Sequence, residues 1–417
     1  MNRRRQIARR RRQFVFGAVV VVLLGISVAV GVGYQGQNRH GRGQLSTDQA
    51  TAAQSGGTDP MDHGTPSPVT IVDTGAIPGA VIGPDGKPIN VYAHASGPAD
   101  MSPTVRTFPN RVYVPNNEDG TVDVIDPATF QVVDHFAVGR EPQHVTPSWD
   151  LKTLYVDNDR SNTLTVIDPA TGKRGADLPV TDPYNLYFTP DGTKAIVVAE
   201  RMRRLDIRNP QTWALITSIP IPYSGVDHLD FSADGAYAIA SCEFSGWIVK
   251  IDMNTLSVVG QLQVGGFPID VKLSPDGSAF YIANQSRNGV SVVDGTNMTE
   301  SSFIPTGGGT HGLYVSRDAT LLYASNRTGG TVSVISFATR QVVTTWNLGP
   351  GASPDMGGVS SDGTQLWLSG RYSGVVYVID TGTGQLLHTI KVGRGPHGLS
   401  LYPQPGRYSI GHTGIFR

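Results

Sequence analysis

Short apolar runs alternate with turn residues in a fixed order along most of the chain. When the runs are aligned, they begin at seven positions: Tyr113, Tyr155, Val197, Ile239, Tyr281, Tyr323 and Trp367. Five of the six steps between these positions are 42 residues long, and the last is 44. A period of about 40–45 residues is typical of propeller blades. The pattern therefore predicts seven copies of one structural unit.

Each copy divides into four short segments that have the pattern of β-strands. The first is an apolar run, as in RVYVPNN and AFYIANQ, and the second alternates and ends near an aspartate, as in TVDVIDPAT. A third follows, as in VVGQLQVG, and a fourth leads into a turn such as SPDG. We therefore expect an all-β, seven-bladed β-propeller with four-stranded blades.

Two further features of the repeats predict how the ring closes and what the recurring aspartates do. The last copy of the fourth segment, His397 to Tyr402, comes after the seventh repeat, so we expect it to close the ring as the innermost strand of the first blade. The recurring aspartates at the ends of the second segments should accept turn hydrogen bonds and have no catalytic role. They are Asp126, Asp168, Asp252, Asp294 and Asp380.

These strings resemble the YVTN-type repeats of bacterial and archaeal propellers, including the YncE-like proteins. The resemblance rests on YVPNN, YVDND, YIANQ and YASNR, joined to VSVVD or VDVIDPAT and to SPDG, and it covers about residues 105–405. It implies the fold but no single function. Similar propellers serve as surface-layer, adhesin-like or DNA-binding proteins, as an amine dehydrogenase subunit, and as the haem-holding part of a nitrite reductase.

The N-terminus combines basic and apolar residues. Seven arginines occur in residues 1–13, and residues 14–34 are 21 positions without a charge. A bilayer is spanned by about 20 apolar residues in a helix, and positive charge stays on the cytoplasmic side. We therefore predict a basic cytoplasmic segment (1–13), a transmembrane signal-anchor helix (14–34), a flexible linker (35–77) and an extracytoplasmic propeller domain (78–417, repeats from about 107 to 403).

Two alternatives to the anchor remain open. Ala29-Val30-Gly31 fits a small-x-small cleavage site, and Arg11-Arg12-Gln13-Phe14 resembles a twin-arginine export signal. Either one would release the propeller on the extracytoplasmic side after signal cleavage.

Charge and cysteine content narrow the function classes. Beyond residue 42 the chain has 24 Lys+Arg against 34 Asp+Glu, and this acidic balance disfavours nucleic acid as a partner. Cys242 is the only cysteine in the sequence, so disulfide pairs and multi-cysteine metal sites within the chain are excluded. Because it falls in a predicted strand, we expect a buried, inert thiol.

Chemistry should concentrate where the innermost strands begin and where the second strands turn into the third, since both places open on one face. We call the space enclosed there the funnel. Its predicted metal ligands are His144, His228, His311 and His397. Its predicted ligand-binding residues are Asp227, Asp270, Asp355, Arg287, Arg327 and Arg371. Neutral imidazole suits zinc or copper, and guanidinium groups suit carboxylates or phosphates.

The register of the histidines suggests an asymmetric site. His311 and His397 occupy one slot, Asp355 occupies the same slot in the blade between them, and His144 and His228 fall one residue later. A shift of one residue turns a strand side chain to the other face. We therefore expect Asp355 and its two slot partners to converge more readily than any set with His144 or His228. In the alternative, the histidines only hydrogen-bond backbone at blade junctions.

No nucleophile elbow, zincin helix, phosphate-binding loop or dinucleotide fingerprint is present in the sequence. The last residues, Gly411 to Arg417, match no catalytic motif either, and no cofactor can be named. We expect a membrane-tethered binding module for a cell-envelope protein, a polymer or a small anionic ligand. The alternative is a metal- or haem-dependent oxidoreductase or cofactor-handling protein that uses the funnel histidines.

Overall fold

The computed structural model describes residues 89–417. The predicted basic segment, transmembrane helix and linker lie outside these residues. Within residues 89–417, no helix is long and apolar enough to cross a membrane. The described chain forms seven four-stranded antiparallel sheets, which confirms the predicted propeller.

Blade 1 takes its strands from both ends of the repeat region, and blades 2 to 4 are each built from four consecutive strands. Blade 1 contains β1 (Arg111–Asn116), β2 (Thr121–Asp126), β3 (Gln131–Ala137) and β28 (Ser400–Tyr402). Blade 2 contains β4 (Pro142–Pro147), β5 (Leu154–Asn158), β6 (Thr163–Asp168) and β7 (Lys173–Pro179). Blade 3 contains β8 (Asn185–Phe188), β9 (Ala195–Ala199), β10 (Arg204–Arg208) and β11 (Leu215–Pro220). Blade 4 contains β12 (Val226–Phe231), β13 (Tyr237–Cys242), β14 (Trp247–Asp252) and β15 (Ser257–Gln263).

The other three blades follow in chain order. Blade 5 contains β16 (Pro268–Leu273), β17 (Phe280–Asn284), β18 (Gly289–Asp294) and β19 (Thr299–Pro305). Blade 6 contains β20 (Thr310–Val315), β21 (Leu321–Asn326), β22 (Thr331–Ser336) and β23 (Gln341–Asn347). Blade 7 contains β24 (Pro354–Val359), β25 (Gln365–Gly370), β26 (Val375–Asp380) and β27 (Leu386–Lys391). Two single-turn 3₁₀ helices cover Pro98–Asp100 and Glu243–Ser245.

The ring closes as the sequence predicts. Strand β28 pairs antiparallel with β1, with Ser400 opposite Tyr113 and Tyr402 opposite Arg111, so the last strand completes the first blade. This closure joins two sheet edges that would otherwise expose unpaired backbone groups. The recurring aspartates cap turns as expected; the Asp126 carboxylate, for example, accepts a hydrogen bond from the Ala128 amide.

Burial falls from the centre of the ring to its rim. The innermost strands β4, β12 and β16 are buried along their whole length, whereas most residues of the outermost strand β3 are exposed. Apolar side chains of adjacent blades pack between the sheets. Cys242 is buried in this packing, as expected, and burial raises the pKa of its thiol to about 12.

A β-bulge interrupts the start of five innermost strands. In β4, for example, Pro142 pairs with Asn158 and Val145 pairs with Val156, so three steps on β4 face two on β5. The same shift occurs in β12, β16, β20 and β24. A bulge breaks the alternation of side chains and re-aims the residues inside it. The bulged pairs are Gln143-His144, Asp227-His228, Ile269-Asp270, His311-Gly312 and Asp355-Met356.

Residues 403–417, which we call the tail, continue beyond the closing strand into the centre of the ring. The Phe188 amide donates to the carbonyl of Ile410, and the amide of His412 donates to the carbonyl of Leu186 at 2.7 Å. The apolar side chains Ile410 and Ile415 join the largest buried cluster. The tail thus packs along the innermost strands from the face where these strands end.

Candidate metal centre

Five histidines meet at the centre of the ring, and each is buried. Three of them, His144, His228 and His412, can each offer a ring nitrogen such that the three nitrogens lie within 4.8 Å of one another. We call this set the three-histidine group. His311, Asp355 and His397 meet the same criterion, and we call them the mixed group. The two groups adjoin, because the ring centres of His144 and His397 are 4.9 Å apart.

The β-bulges explain how His144 and His228 also reach the centre of the ring. Strict alternation places His144 and His228 away from the funnel sector of Asp355, yet both rings point inward and contact each other at 5.4 Å between centres. Each lies second in a bulged pair, where two residues face one on the neighbouring strand. The three residues of the mixed group do converge, but the three-histidine group converges equally well.

His412 is the functional candidate that sequence reasoning missed. It lies on the tail, outside the repeats, so no comparison between blades can reveal it. Its backbone has a φ of 53°, a left-handed conformation that costs energy for a residue other than glycine. The sequence offers one signal for His412, which is the pair of glycines near it, Gly411 and Gly414. In the structure both glycines have φ near 102° and fix a tight bend.

The three-histidine group has unused ring nitrogens. Nε2 of His144, His228 and His412 is buried in each case without a hydrogen-bond partner in the described structure. Nδ1 of His144 lies 3.1 Å from the carbonyl oxygen of Tyr184 and donates its proton there, which leaves Nε2 as a lone-pair donor. A metal-binding histidine usually has this arrangement, with the second nitrogen held by a carbonyl or carboxylate.

Two carboxyl groups flank these rings. Oδ1 of Asp227 lies 2.8 Å from Nδ1 of His228, and neither oxygen of Asp227 has a hydrogen-bond partner in the described residues. Asp270 pairs with Lys272 at 2.8 Å and approaches Nε2 of His412 at 3.8 Å. A buried carboxyl without partners is costly unless a cation or proton compensates it. The carboxyl groups around the three-histidine group therefore favour the binding of a positive ion there.

Burial keeps the rings in the state that binds metal. It lowers the pKa of His144 and His412 well below the ordinary value, and the neighbouring ring of His228 lowers both further. Histidine ligates metal only as neutral imidazole. These two side chains are therefore ready to bind an ion at neutral pH without first losing a proton.

The mixed group is already in contact with a positively charged side chain, that of Arg327. Nε of Arg327 donates to Oδ1 of Asp355 at 2.9 Å, and Nη2 of the same arginine contacts Nε2 of His311. Burial alone would raise the pKa of Asp355, but Arg327 and the two histidines outweigh it and hold the pKa well below its ordinary range. This group therefore reaches electrical balance without an added ion.

The other predicted ligand-binding residues lie in different surroundings. Arg287 donates to the Val264 carbonyl and pairs with Glu300 at 2.7 Å, so a carboxylate of its own blade already neutralises it. Arg371 donates to the carbonyl of Gly395, and its pKa is lowered by burial. The charge of Arg371 also lowers the pKa of His397. The structure thus brings Asp227, Asp270, Asp355, Arg327 and Arg371 to the histidines.

The fold and the site together define a class: a seven-bladed propeller with buried histidines and carboxyl groups at the centre of its ring. The chain belongs to the YNCE-like beta-propeller family, whose pattern matches residues 96–405. No curated protein matches it.

Several solved structures share the fold. Kuenenia stuttgartiensis hydrazine synthase is 19% identical with a TM-score of 0.54, covering 62% of this chain and 88% of that one. The dihydro-heme d1 dehydrogenase NirN in complex with DHE is 17% identical with a TM-score of 0.56, covering 72% and 78%. Apo AztD from Citrobacter koseri is 13% identical with a TM-score of 0.54, covering 74% and 99%. At these identities the similarity extends to the fold alone.

Proposed function

We propose that this chain is a membrane-tethered, extracytoplasmic propeller that binds a transition-metal ion at His144, His228 and His412. One observation carries the proposal: three buried histidines converge, and Nε2 of each lacks a partner among the described residues. Three imidazoles suit zinc or copper, whereas magnesium and calcium prefer oxygen ligands. The basic and apolar N-terminal sequence supports the tether.

Tyr184 holds one of the ligands by a hydrogen bond, and Asp227 lies close to another. The carbonyl of Tyr184 fixes the proton of His144 on Nδ1, and the carboxyl of Asp227 stands beside Nδ1 of His228. Such supports orient the rings and increase their basicity. An ion held at about 2 Å by three nitrogens brings them to roughly 3.4 Å from one another, so the rings close slightly on the ion.

Burial favours binding over catalysis. His144, His228 and His412 have side chains that are 0–1% exposed, so an organic substrate has no contact with an ion held there. Neighbouring histidine rings lie 4.5–6.0 Å apart between centres, which is too close for a haem macrocycle between them and weakens the haem-dependent alternative. The tail also supplies one ligand, so the site is complete only when residues 403–417 are docked.

A cell-envelope partner stays a prediction, and one face of the propeller has exposed apolar side chains where such a partner would bind. Four apolar side chains on loops at the face where the innermost strands begin are 43–70% exposed: Met202, Phe244, Phe267 and Tyr372. We call this the upper face. It is the side on which a partner that delivers or receives an ion would dock.

Calorimetric titration of the metal-free full chain in detergent with Zn²⁺ tests the proposal. We expect one equivalent to bind, and His412→Ala to weaken it about 10-fold or more because one of three ligands is lost. His135→Ala, on the outer strand β3, is the matched control and should bind like the parent. If the parent binds no zinc, or if His412→Ala binds as tightly as the parent, the proposal is wrong.

A further inference from the structure

The mixed group has the features of a second cation site that a protein side chain occupies. His311, Asp355 and His397 can place two nitrogens and a carboxylate oxygen within 4.8 Å of one another. Oδ2 of Asp355 is buried without a hydrogen-bond partner among the described residues and lies 3.7 Å from Nε2 of His397. An unpartnered, buried carboxylate oxygen beside an imidazole nitrogen is suited to a shared metal ion.

Arg327 occupies the position that such an ion would take. Its guanidinium contacts Nε2 of His311 and Oδ1 of Asp355, which are two of the atoms an ion would bind. Nδ1 of His311 lies 2.9 Å from Oδ1 of Asp355 without a hydrogen bond to it, so this ring and the carboxylate are close enough to share an ion. The arginine therefore replaces an ion in charge and partly in position.

The two groups form a continuous row of ligands that leads inward from the upper face. The ring centres of His311 and His397 are 6.0 Å apart, and those of His397 and His144 are 4.9 Å apart. Arg327 starts the row; its guanidinium lies 5.9 Å from the ring of Tyr372, which is 70% exposed. The exposed fraction of the side chains falls from 11% at Arg327 to 0% at His228.

The tail covers part of the opposite side of the ring. Arg417, at the end of the tail, pairs with the buried Asp230 at 2.8 Å and lies over the ring of Tyr92. A cavity lined in part by Lys272, Thr413 and Gly414 also lies on this side. The route that we infer runs from the upper face past Arg327.

We propose that His311, Asp355 and His397 form a transient binding station for the incoming metal ion, and that Arg327 is the gate that closes it. This inference rests on the proposed function of the three-histidine group. A divalent ion displaces the guanidinium toward Tyr372 and binds at the station. It then passes by way of His397 to His144, after which Arg327 returns and restores the charge balance around Asp355.

Removal of the gate tests the proposal. Arg327→Met removes the cation that contacts His311 and Asp355, so the full chain in detergent should bind two equivalents of Zn²⁺ instead of one. Stopped-flow uptake monitored with a zinc indicator should be faster by about 10-fold or more, because no side chain has to move first. Arg327→Met/Asp355→Asn is the matched control; it removes the carboxylate that would bind the ion and should bind one equivalent.

The outcomes separate the two proposals. If the parent and Arg327→Met both bind no zinc, the proposed function fails, and the gate fails with it. If the parent binds one equivalent that His412→Ala loses, but Arg327→Met also binds one at the parent rate, only the gate is wrong. If Arg327→Met does not fold, Arg327→Lys decides, because a lysine cannot contact both groups and should accelerate uptake; an unchanged rate overturns the gate.

Discussion

Gly398 illustrates, at the scale of single residues, how tightly the histidines are packed. A Cβ atom at this position would lie 2.1 Å from Cδ2 of His144, well inside contact distance. We expect Gly398→Ala to rotate the ring of His144 away from the carbonyl of Tyr184 and to lower zinc affinity about 10- to 100-fold. Calorimetric titration measures the change.

The control for this substitution is Gly382→Ala, at an exposed turn where the new Cβ would meet only Oδ1 of Asp380 at 3.4 Å. It should leave zinc affinity unchanged. Equal affinity in Gly398→Ala and the parent would mean that the ring of His144 does not take part in binding.

At this scale the sequence indicates which residue types line the funnel but not the direction in which each side chain points. His144, His311 and Asp355 are found by aligning the starts of the blades, since the repeats place them at equivalent positions. Their orientation depends on bulges, which insert one residue without a sequence signal that periodicity detects. His412 is invisible to the same alignment, because the tail has no counterpart in other blades.

At the scale of elements, the closing strand and the tail have separable roles. Removal of residues 404–417 takes Ile410, Ile415 and Phe416 out of buried clusters but leaves β28 in blade 1. Each buried apolar side chain stabilises the fold by about 1.5–3 kcal/mol, so we expect a lower melting temperature and a single cooperative transition. Zinc binding should weaken at least as much as in His412→Ala, because the same ligand is removed.

A longer truncation, after Gly395, also removes β28 and opens the ring. The backbone of β1 then loses its partner, and we expect the cooperative transition to broaden or disappear. Scanning calorimetry of the two truncated chains distinguishes the cases. Identical melting curves would contradict the claim that β28 closes the ring.

The repeat period predicts the elements well because each blade meets the same physical requirement. An apolar strand must be buried between two neighbouring sheets, so the run that begins at Tyr113 recurs in every copy. The tail obeys no such rule. Its position follows from individual contacts, such as the ion pair of Arg417 with Asp230. These contacts do not recur along the chain, so no sequence pattern indicates them.

At the scale of the whole molecule, the buried histidines make stability depend on pH. Burial lowers the pKa values of four of them, His144, His311, His397 and His412. Unfolded histidine titrates near pH 6.5, so the unfolded chain binds protons at a pH where these folded rings stay neutral. The stability they contribute is fully present above about pH 6.5 and is lost as the pH falls below it.

Urea unfolding of the metal-free protein at several pH values measures this loss. Each ring contributes a slope of about 1.4 kcal/mol per pH unit below pH 6.5 until its folded pKa is reached. His144→Gln should reduce the slope of the free energy of unfolding against pH. The control is His94→Gln at an exposed position, which should leave the slope unchanged. A free energy of unfolding that rises on acidification would contradict the burial of neutral rings.

A zinc-bound crystal, with anomalous diffraction recorded on both sides of the zinc absorption edge, is the most direct test of the metal centre. The account predicts one strong peak at about 2 Å from Nε2 of His144, His228 and His412, with the tail docked. A peak elsewhere on the propeller, or no peak at this position in a crystal soaked with excess zinc, would contradict it.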